Sequence, residues 1–345
     1  MQAQAPNRQA KPHLVCPAGS LRALTVAVDA GADAVYLGLK DATNARNFAG
    51  LNFDEAQIRE GIAYAHGRGA QVLMALNTFA DARQPAPWFA AADKAAALGA
   101  DALIVADTAV MGHCHRHLPE LRLHLSVQAS ATTHAAIEFY RRRYGVQRAV
   151  LPRVVAVEQI ARIIAGTSVE IEVFAFGSLC VMVEGRCALS SYATGASPNN
   201  AGVCSPAAAV RWQEGPDGVR ARLNGVLIDH YTPDEPRGYP TLCKGRFDVG
   251  GQRSHVLEEP TSLNTMALLP QLIAMGVRAF KIEGRQRSAA YVGEVTRAWR
   301  AAIDAAWQAV EQGRDFQPQP PWQQALARHA EGAQTTLGAF ERPWR

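Results

Sequence analysis

Four cysteines, Cys180, Cys187, Cys204 and Cys243, crowd one stretch of a 345-residue chain that holds six in all. The segments around them, FGSLCVMVEGRC, NNAGVCSPA and YPTLCKGRF, are rich in Gly, Ser and Pro and read as loops, which can carry distant thiolates to one point. Converging thiolates suit an iron–sulfur cluster or a zinc ion. The spacing is C-x6-C-x16-C-x38-C. Structural zinc sites usually contain a tight two-cysteine knuckle, and none occurs here. The spacing therefore ranks a cluster first, zinc second, and structural or disulfide-bonded thiols third. Disulfides need an oxidising compartment. The opening MQAQAPNRQAKP is polar and lacks the apolar core of an export signal. Residues 1–12 read as a flexible tail, and the expected location is cytoplasmic.

Composition sets wide limits. Apolar residues make up 48% of the chain and charged ones 19%, the balance of a globular protein with ample core. The net charge of +4 permits an anionic substrate or RNA but requires neither. No apolar run is long enough to read as a transmembrane segment.

Four segments of one form reveal the elements that must position the cysteines. GADAVYLGL starts at Gly31, GADALIVAD at Gly99, GVQRAVLPR at Gly145 and GVRAFKIEGR at Gly276. Each reads as a helix-ending glycine, a short link and a buried strand. Strands are expected at 14–16, 34–38, 71–77, 102–106, 123–128, 148–152, 170–176 and 278–283, with helices between them. Such alternation gives parallel βαβ units. Without the tail and an insertion at about 179–269, roughly 240 residues remain, near the ~250 of a (β/α)8 barrel. The expected fold is α/β, a TIM-like barrel spanning 13–345 as a single domain, with the cysteine-rich insertion between strands 7 and 8. An open doubly wound sheet is the alternative.

Barrel chemistry sits at the C-terminal ends of the strands. The residues there include Asn44, Arg46, Asn77, Asp107, Gln128, Ser130, Arg153, Lys281, Glu283, Arg285 and Arg287. Arg46, Arg153, Lys281 and Arg285 could form a cationic pocket for a carboxylate substrate, with Asn77 and Gln128 as further contacts. The competing reading pairs each cation with a structural carboxylate. Glu283 and Asp107 are the candidate proton acceptors. His113 and His117 share a helix face beside Cys114, but no HExxH motif accompanies them, and a solvated helix end is the simpler reading. The basic RRRY at 141–144 suits a helix C-terminus. It is too little to imply nucleic-acid binding, and none is expected. Cys16 reads as a small buried residue. Neither a phosphate-binding loop nor a GxSxG elbow occurs.

The segment EVFAFGSLCVMVEGRCALS (172–190) resembles the signature of the collagenase-like U-type peptidase family. Glu172, Phe174, Gly177, Ser178, Cys180, Gly185, Cys187 and Ser190 fit it. CPAGSLRALTVAVDAGADAVYLGL near the start, NARNF (44–48) and KIEGRQRSAAYV (281–292) resemble the same family. SSYATGASPN (190–199), CSPAAAVRW (204–212), YPTLCKGR (239–246), LEEPTSLNT (257–265) and EGAQTTLGA (331–339) are similar to its ubiquinone-biosynthesis members. The resemblance implies a 4Fe-4S cluster held by Cys180, Cys187, Cys204 and Cys243. It implies a heterodimer with a UbiV-like sister protein, and hydroxylation of a ubiquinone precursor without molecular oxygen, under anaerobic conditions. Prephenate would be the oxygen donor. Some members hydroxylate RNA by the same chemistry. The peptidase label finds no hydrolytic nucleophile in this sequence.

Overall fold

A computed structural model describes residues 10–48, 50–180, 182, 184, 186–198, 203–235, 237–332 and 334–341. Residues 1–9 of the expected tail, Gly185 of the family signature and Asn199 of SSYATGASPN lie outside the described residues.

Eight parallel strands close into a barrel. They are β1 (His13–Pro17), β2 (Ala34–Leu37), β3 (Gln71–Leu76), β4 (Ala102–Val105), β5 (Arg122–Leu125), β6 (Val146–Val150), β7 (Glu170–Ser178) and, after the insertion, β14 (Ala279–Ile282). β14 pairs with both β1 and β7, which completes the ring. The expected barrel is what forms, and the open sheet is excluded. The connecting helices are α1 (Leu21–Asp29), α2 (Glu55–His66), α3 (Ala86–Leu98), α4 (Thr108–His117), α5 (His134–Tyr144) and α6 (Val157–Ala165). After the insertion come α8 (Leu269–Met275), α9 (Ala289–Gln312) and α10 (Pro320–His329). Local signals start and stop them. Asp54 and Gln57 form a reciprocal capping box at the start of α2, and Ser288 caps α9. Gly99, Gly145 and Gly276 end helices in the left-handed region that glycine adopts without penalty.

Most apolar side chains point outward from the strands into the helices, where Leu14, Leu37, Met74, Leu103 and Phe280 are buried with Trp299 of α9. Cys16 belongs to this outer layer, where its Sγ accepts from Thr296 at 3.2 Å. Burial pushes its thiol up to about 12. The strand bounds shift from expectation by up to three residues, and two of the larger shifts have a visible cause. β5 stops at Leu125 because the Ser126 hydroxyl caps a 3-10 turn at Val127–Ala129. β7 runs on to Ser178 because a later strand pairs with its end.

The insertion is not the loop region its composition suggests. It contains α7 (Ala188–Thr194), an antiparallel sheet of β8 (Val210–Gly215), β9 (Gly218–Leu223) and β10 (Val226–Tyr231), and a hairpin of β11 (Arg246–Val249) and β12 (Gln252–His255). Ala193, Val210, Leu223 and Ile228 form its own small core. β13 (Ser262–Asn264) then returns antiparallel to β7, and β15 (Thr335–Thr336) adds beside β13. Among the described residues no helix is long and apolar enough to cross a membrane.

Candidate functional site

The insertion leaves the barrel at the end of β7 and re-enters before β14, so its cysteines overlie the barrel mouth. All four are free thiols, Cys204 exposed and the others half-buried. Cys204 lies near enough to bear on the ionisation of Cys187 and Cys243, and Cys180 bears on Cys243. Local bonds hold them. The Ser190 N–H donates to Cys187 Sγ at 3.3 Å while the Ser190 hydroxyl donates to the Cys204 carbonyl. The Tyr239 hydroxyl donates to the Ser205 carbonyl at 2.8 Å. Burial raises the Cys180 and Cys187 thiols, and pushes Cys243 up to about 11. Among the described residues no three Cys, His, Asp or Glu side chains converge closely enough to grip a single metal ion. Softness and number of donors fit an iron–sulfur cluster, whose ligands approach separate corners rather than one point.

Beneath them lie the cationic residues. The Arg46 guanidinium stands 3.7 Å from Glu283, on a backbone with φ of 155° that side chains seldom adopt. Burial opposes the Arg46 charge, but Glu283 and then Cys204 outweigh it and raise its pKa. Arg153 lies 3.6 Å from the Phe174 ring centre and 2.6 Å from Glu184. Burial opposes its charge too, outweighed by Glu184 and then Glu283. Lys281 pairs with Glu172 at 2.7 Å, and the partner carboxylate is wholly buried. Burial still lowers the Lys281 pKa.

Arg285 is the exception. It is 4% exposed and has no carboxylate partner among the described residues. It donates instead to the Ala45 carbonyl at 2.8 Å and to Asn44 Oδ1 at 3.2 Å. Burial pushes it down to about 10. Its reach depends on Gly38, where a Cβ would stand 2.7 Å from Arg285 Nη1. Arg285, Lys281, Asn77, Ser126 and Tyr36 line a cavity of about 40 Å³. Asn77 Nδ2 donates to Ser126 Oγ at 3.4 Å, and its Oδ1 accepts from the Ala45 N–H at 2.9 Å. Gln128 is buried, and its Oε1 has no hydrogen-bond partner among the described residues.

Asp107 stands apart. Its Oδ1 caps α4 through Ala109 and Val110, and its Oδ2 accepts from the Ala80 N–H at 3.1 Å. That is structural work at a helix N-terminus. His113 bonds Asp93 at 2.7 Å and lies flat against Phe89, on the outer helical layer.

The sequence reading gave no role in the site to four residues of consequence. Glu172, Arg148 and His124 line the barrel beneath Lys281, and Tyr36 places its ring 4.2 Å from Lys281 Nζ. The visible signal was alternation: Arg122-x-His124 in β5 and Glu170-x-Glu172 in β7 place charges on one face at period two.

A tRNA hydroxylation protein P1 of Bacillus subtilis (strain 168) is 31% identical over 299 residues, covering 86% of this chain and 64% of that protein. A tRNA hydroxylation protein P of Escherichia coli (strain K12) is 30% identical over 317 residues, covering 86% and 68%. The 23S rRNA 5-hydroxycytidine C2501 synthase of the same strain is 32% identical over 292 residues, covering 85% and 39%. This chain therefore spans about two thirds or less of these relatives' lengths. A family model, Peptidase family U32, matches residues 19–342. With the barrel, the overlying cysteines and that match across nearly its whole length, the chain belongs to peptidase family U32.

Proposed function

We propose that this chain is the iron–sulfur component of an oxygen-independent hydroxylase, a UbiU-like protein acting with a UbiV-like partner on the ring of a ubiquinone precursor. The observation that carries the reading is one shared site. The guanidinium groups of Arg46 and Arg153 lie within electrostatic range of Cys180 or Cys204, above a buried Arg285 that has no ion-pair partner among the described residues. The ubiquinone assignment rests on the long motifs around the cysteines and in EGAQTTLGA. The hydroxylase chemistry is supported by relatives that are named for it.

Cys180, Cys187, Cys204 and Cys243 would hold a 4Fe-4S cluster, which supplies one-electron chemistry when bound. Prephenate, the proposed oxygen donor, carries two carboxylates. In this reading Arg285 would take one of them and Arg46, loosely paired at 3.7 Å, would take the other. Asn77 and Gln128 offer polar contacts, and Lys281 stays with Glu172. Glu283 Oε1 is the proton acceptor, since Asp107 has both oxygens committed to backbone amides. The partner would dock on the insertion: eight of the nine large apolar side chains exposed among the described residues fall within 192–257, including Tyr192, Trp212 and Tyr239.

RNA hydroxylation is the second reading. It is favoured by the relatives' names and by an open groove of about 540 Å³ on α5, where Phe139 is exposed beside Arg142 and Arg143. One experiment separates the two. The chain is purified without oxygen beside Cys204→Ala, its iron and sulfide are measured, and a ubiquinone precursor and unmodified tRNA are each offered with prephenate and partner. About four iron per chain, lost in the variant, with product only on the quinone precursor, is the expected result. Product on tRNA alone moves the chain to the second reading. Full iron in Cys204→Ala removes that ligand, and no iron in either protein removes the cluster.

A further inference from the structure

Ser190 ties Cys187 to Cys204 locally, but among the described residues no hydrogen bond within the insertion joins the segment of Cys180 to that of Cys243. The link comes from the far end of the chain. One Glu331 oxygen accepts from the Ser178 hydroxyl, two residues before Cys180, and the other accepts from the ammonium of Lys244, next to Cys243. The Glu331 N–H donates to Ser262 Oγ at 2.8 Å, and Ser262 is the β13 residue that pairs with Ser178 of β7. Three segments distant in sequence thus meet on one carboxylate.

The segment bearing Glu331 is itself fixed. Gly332 adopts φ of 67°, and a Cβ there would stand 1.8 Å from the Pro260 carbonyl oxygen, so the backbone passes flush against β13's approach. Thr335 and Thr336 continue it as a parallel strand beside Ser262 and Leu263, and Phe340 is 3% exposed in the barrel core. A segment anchored on both sides holds a carboxylate in place with little entropy left to lose. The charge matters as well as the shape: the Glu331 side chain is 28% exposed and that of Lys244 14%, so the pair lies largely out of water.

We propose that Glu331 is a positioning residue that sets the separation of Cys180 and Cys243, while Ser190 independently sets that of Cys187 and Cys204. This rests on the cluster reading above, in which two thiol pairs close on one group. Glu331 touches neither thiol and acts through Ser178 and Lys244.

The test is made on the full-length protein, as wild type, Glu331→Gln, Glu331→Ala and Lys244→Gln, with Ser190→Ala as the contrasting variant. Each is first alkylated with iodoacetamide without metal, and modification at each cysteine is followed by mass spectrometry. Losing a hydrogen-bonded charged contact worth about 1.5 kcal/mol opens the segment roughly tenfold more often. The expected result is faster modification of Cys180 and Cys243, by about tenfold in Glu331→Ala and less in Glu331→Gln, which keeps the bond to Ser178. Cys187 and Cys204 should keep the wild-type rate, and Ser190→Ala should show the opposite pattern. Anaerobically loaded protein is then compared for midpoint potential and for iron loss to a chelator. Both should change in Glu331→Gln at an unchanged thermal melting temperature. Equal acceleration at all four cysteines, or at none, overturns the proposal. Wild type that takes up no iron overturns the cluster reading, and the alkylation pattern still decides whether Glu331 holds the two segments.

Discussion

The inside of the barrel has two unlike halves. Along β1 to β4 the inward face carries Val15, Ala34, Tyr36, Leu73, Ala102 and Ile104, joined by Ala279 of β14 in one apolar cluster. Across the axis, β5 to β7 and β14 place Arg122, His124, Arg148, Glu170, Glu172 and Lys281 on the same inward face. The charges alternate. Glu170 lies within 3.3 Å of Arg122 and 2.8 Å of Arg148, Arg148 within 3.6 Å of Glu172, and Glu172 within 2.7 Å of Lys281. The difference teaches where the fold spends its stability. The apolar half gains from burial and packing. The charged half gains little net energy from buried ion pairs, yet breaking one is costly. It also lies beneath the strands that flank the insertion, where its ladder fixes Lys281 at the floor of the candidate site.

Four measurements would break or sharpen that contrast. Glu172→Leu should cost most, about 4 kcal/mol of unfolding free energy in urea, because Lys281 and Arg148 both lose a buried counter-ion. A cost under about 1 kcal/mol would mean that the ladder is not held by its charges. Leu73→Ala in the apolar half should cost about 3 kcal/mol through lost burial and the cavity left behind. If it exceeds Glu172→Leu, the ranking of the two halves reverses.

The third measurement uses pH. Burial, then Arg148 and Arg122, hold the His124 pKa well below 6.5, and Lys281 and His13 act the same way. Above pH 6.5 the ring is neutral whether folded or unfolded and contributes no slope. As pH falls below 6.5 the unfolded chain takes up a proton that the folded chain refuses. Stability therefore declines, by up to about 1.4 kcal/mol per pH unit until the lowered folded value is reached. His13, also lowered by burial and then by Arg148, adds to the same window. His124→Leu should flatten stability between pH 6.5 and 5 relative to wild type. An unchanged slope would assign the acid sensitivity elsewhere. Tyr36→Phe should show the smallest effect. Tyr36 bridges the halves, its hydroxyl donating to the Ile282 carbonyl at 3.0 Å, and losing one such bond costs about 1 kcal/mol.

Much of the barrel was legible in the chain because its signals are local. Gly31, Gly99, Gly145 and Gly276 all take the positive φ that a helix-ending glycine supplies, and each is followed within four residues by a strand. The candidate site was legible in part. Arg46, Arg153, Lys281 and Arg285 were recognisable as residues at strand ends. Only contacts separated Arg285, which has no carboxylate partner among the described residues, from Lys281, which is committed to Glu172. Asp107 looked the same as Glu283 from its place after a strand, and the three backbone N–H groups it accepts from set it apart. The ladder was missed because a polar residue at every second strand position ordinarily marks a solvent face, whereas inside this closed barrel that face is buried.

By itself the sequence determined the alternation of strands and helices, the eightfold count, the place of the insertion and the identity of the thiols. These follow from hydrophobic periodicity, helix stops and residue chemistry, which act over a few residues. Tertiary structure alone decided which charges neutralise one another, which cation is left over, and that a glutamate near the C-terminus joins the segments of Cys180 and Cys243. Those outcomes depend on distances between groups more than a hundred residues apart in several cases, as with Lys281 and Glu172 or Glu331 and Ser178. Ionic and hydrogen-bonding energies fall off within a few ångströms, so closure of the barrel had to set those distances before chemistry could choose among the partners.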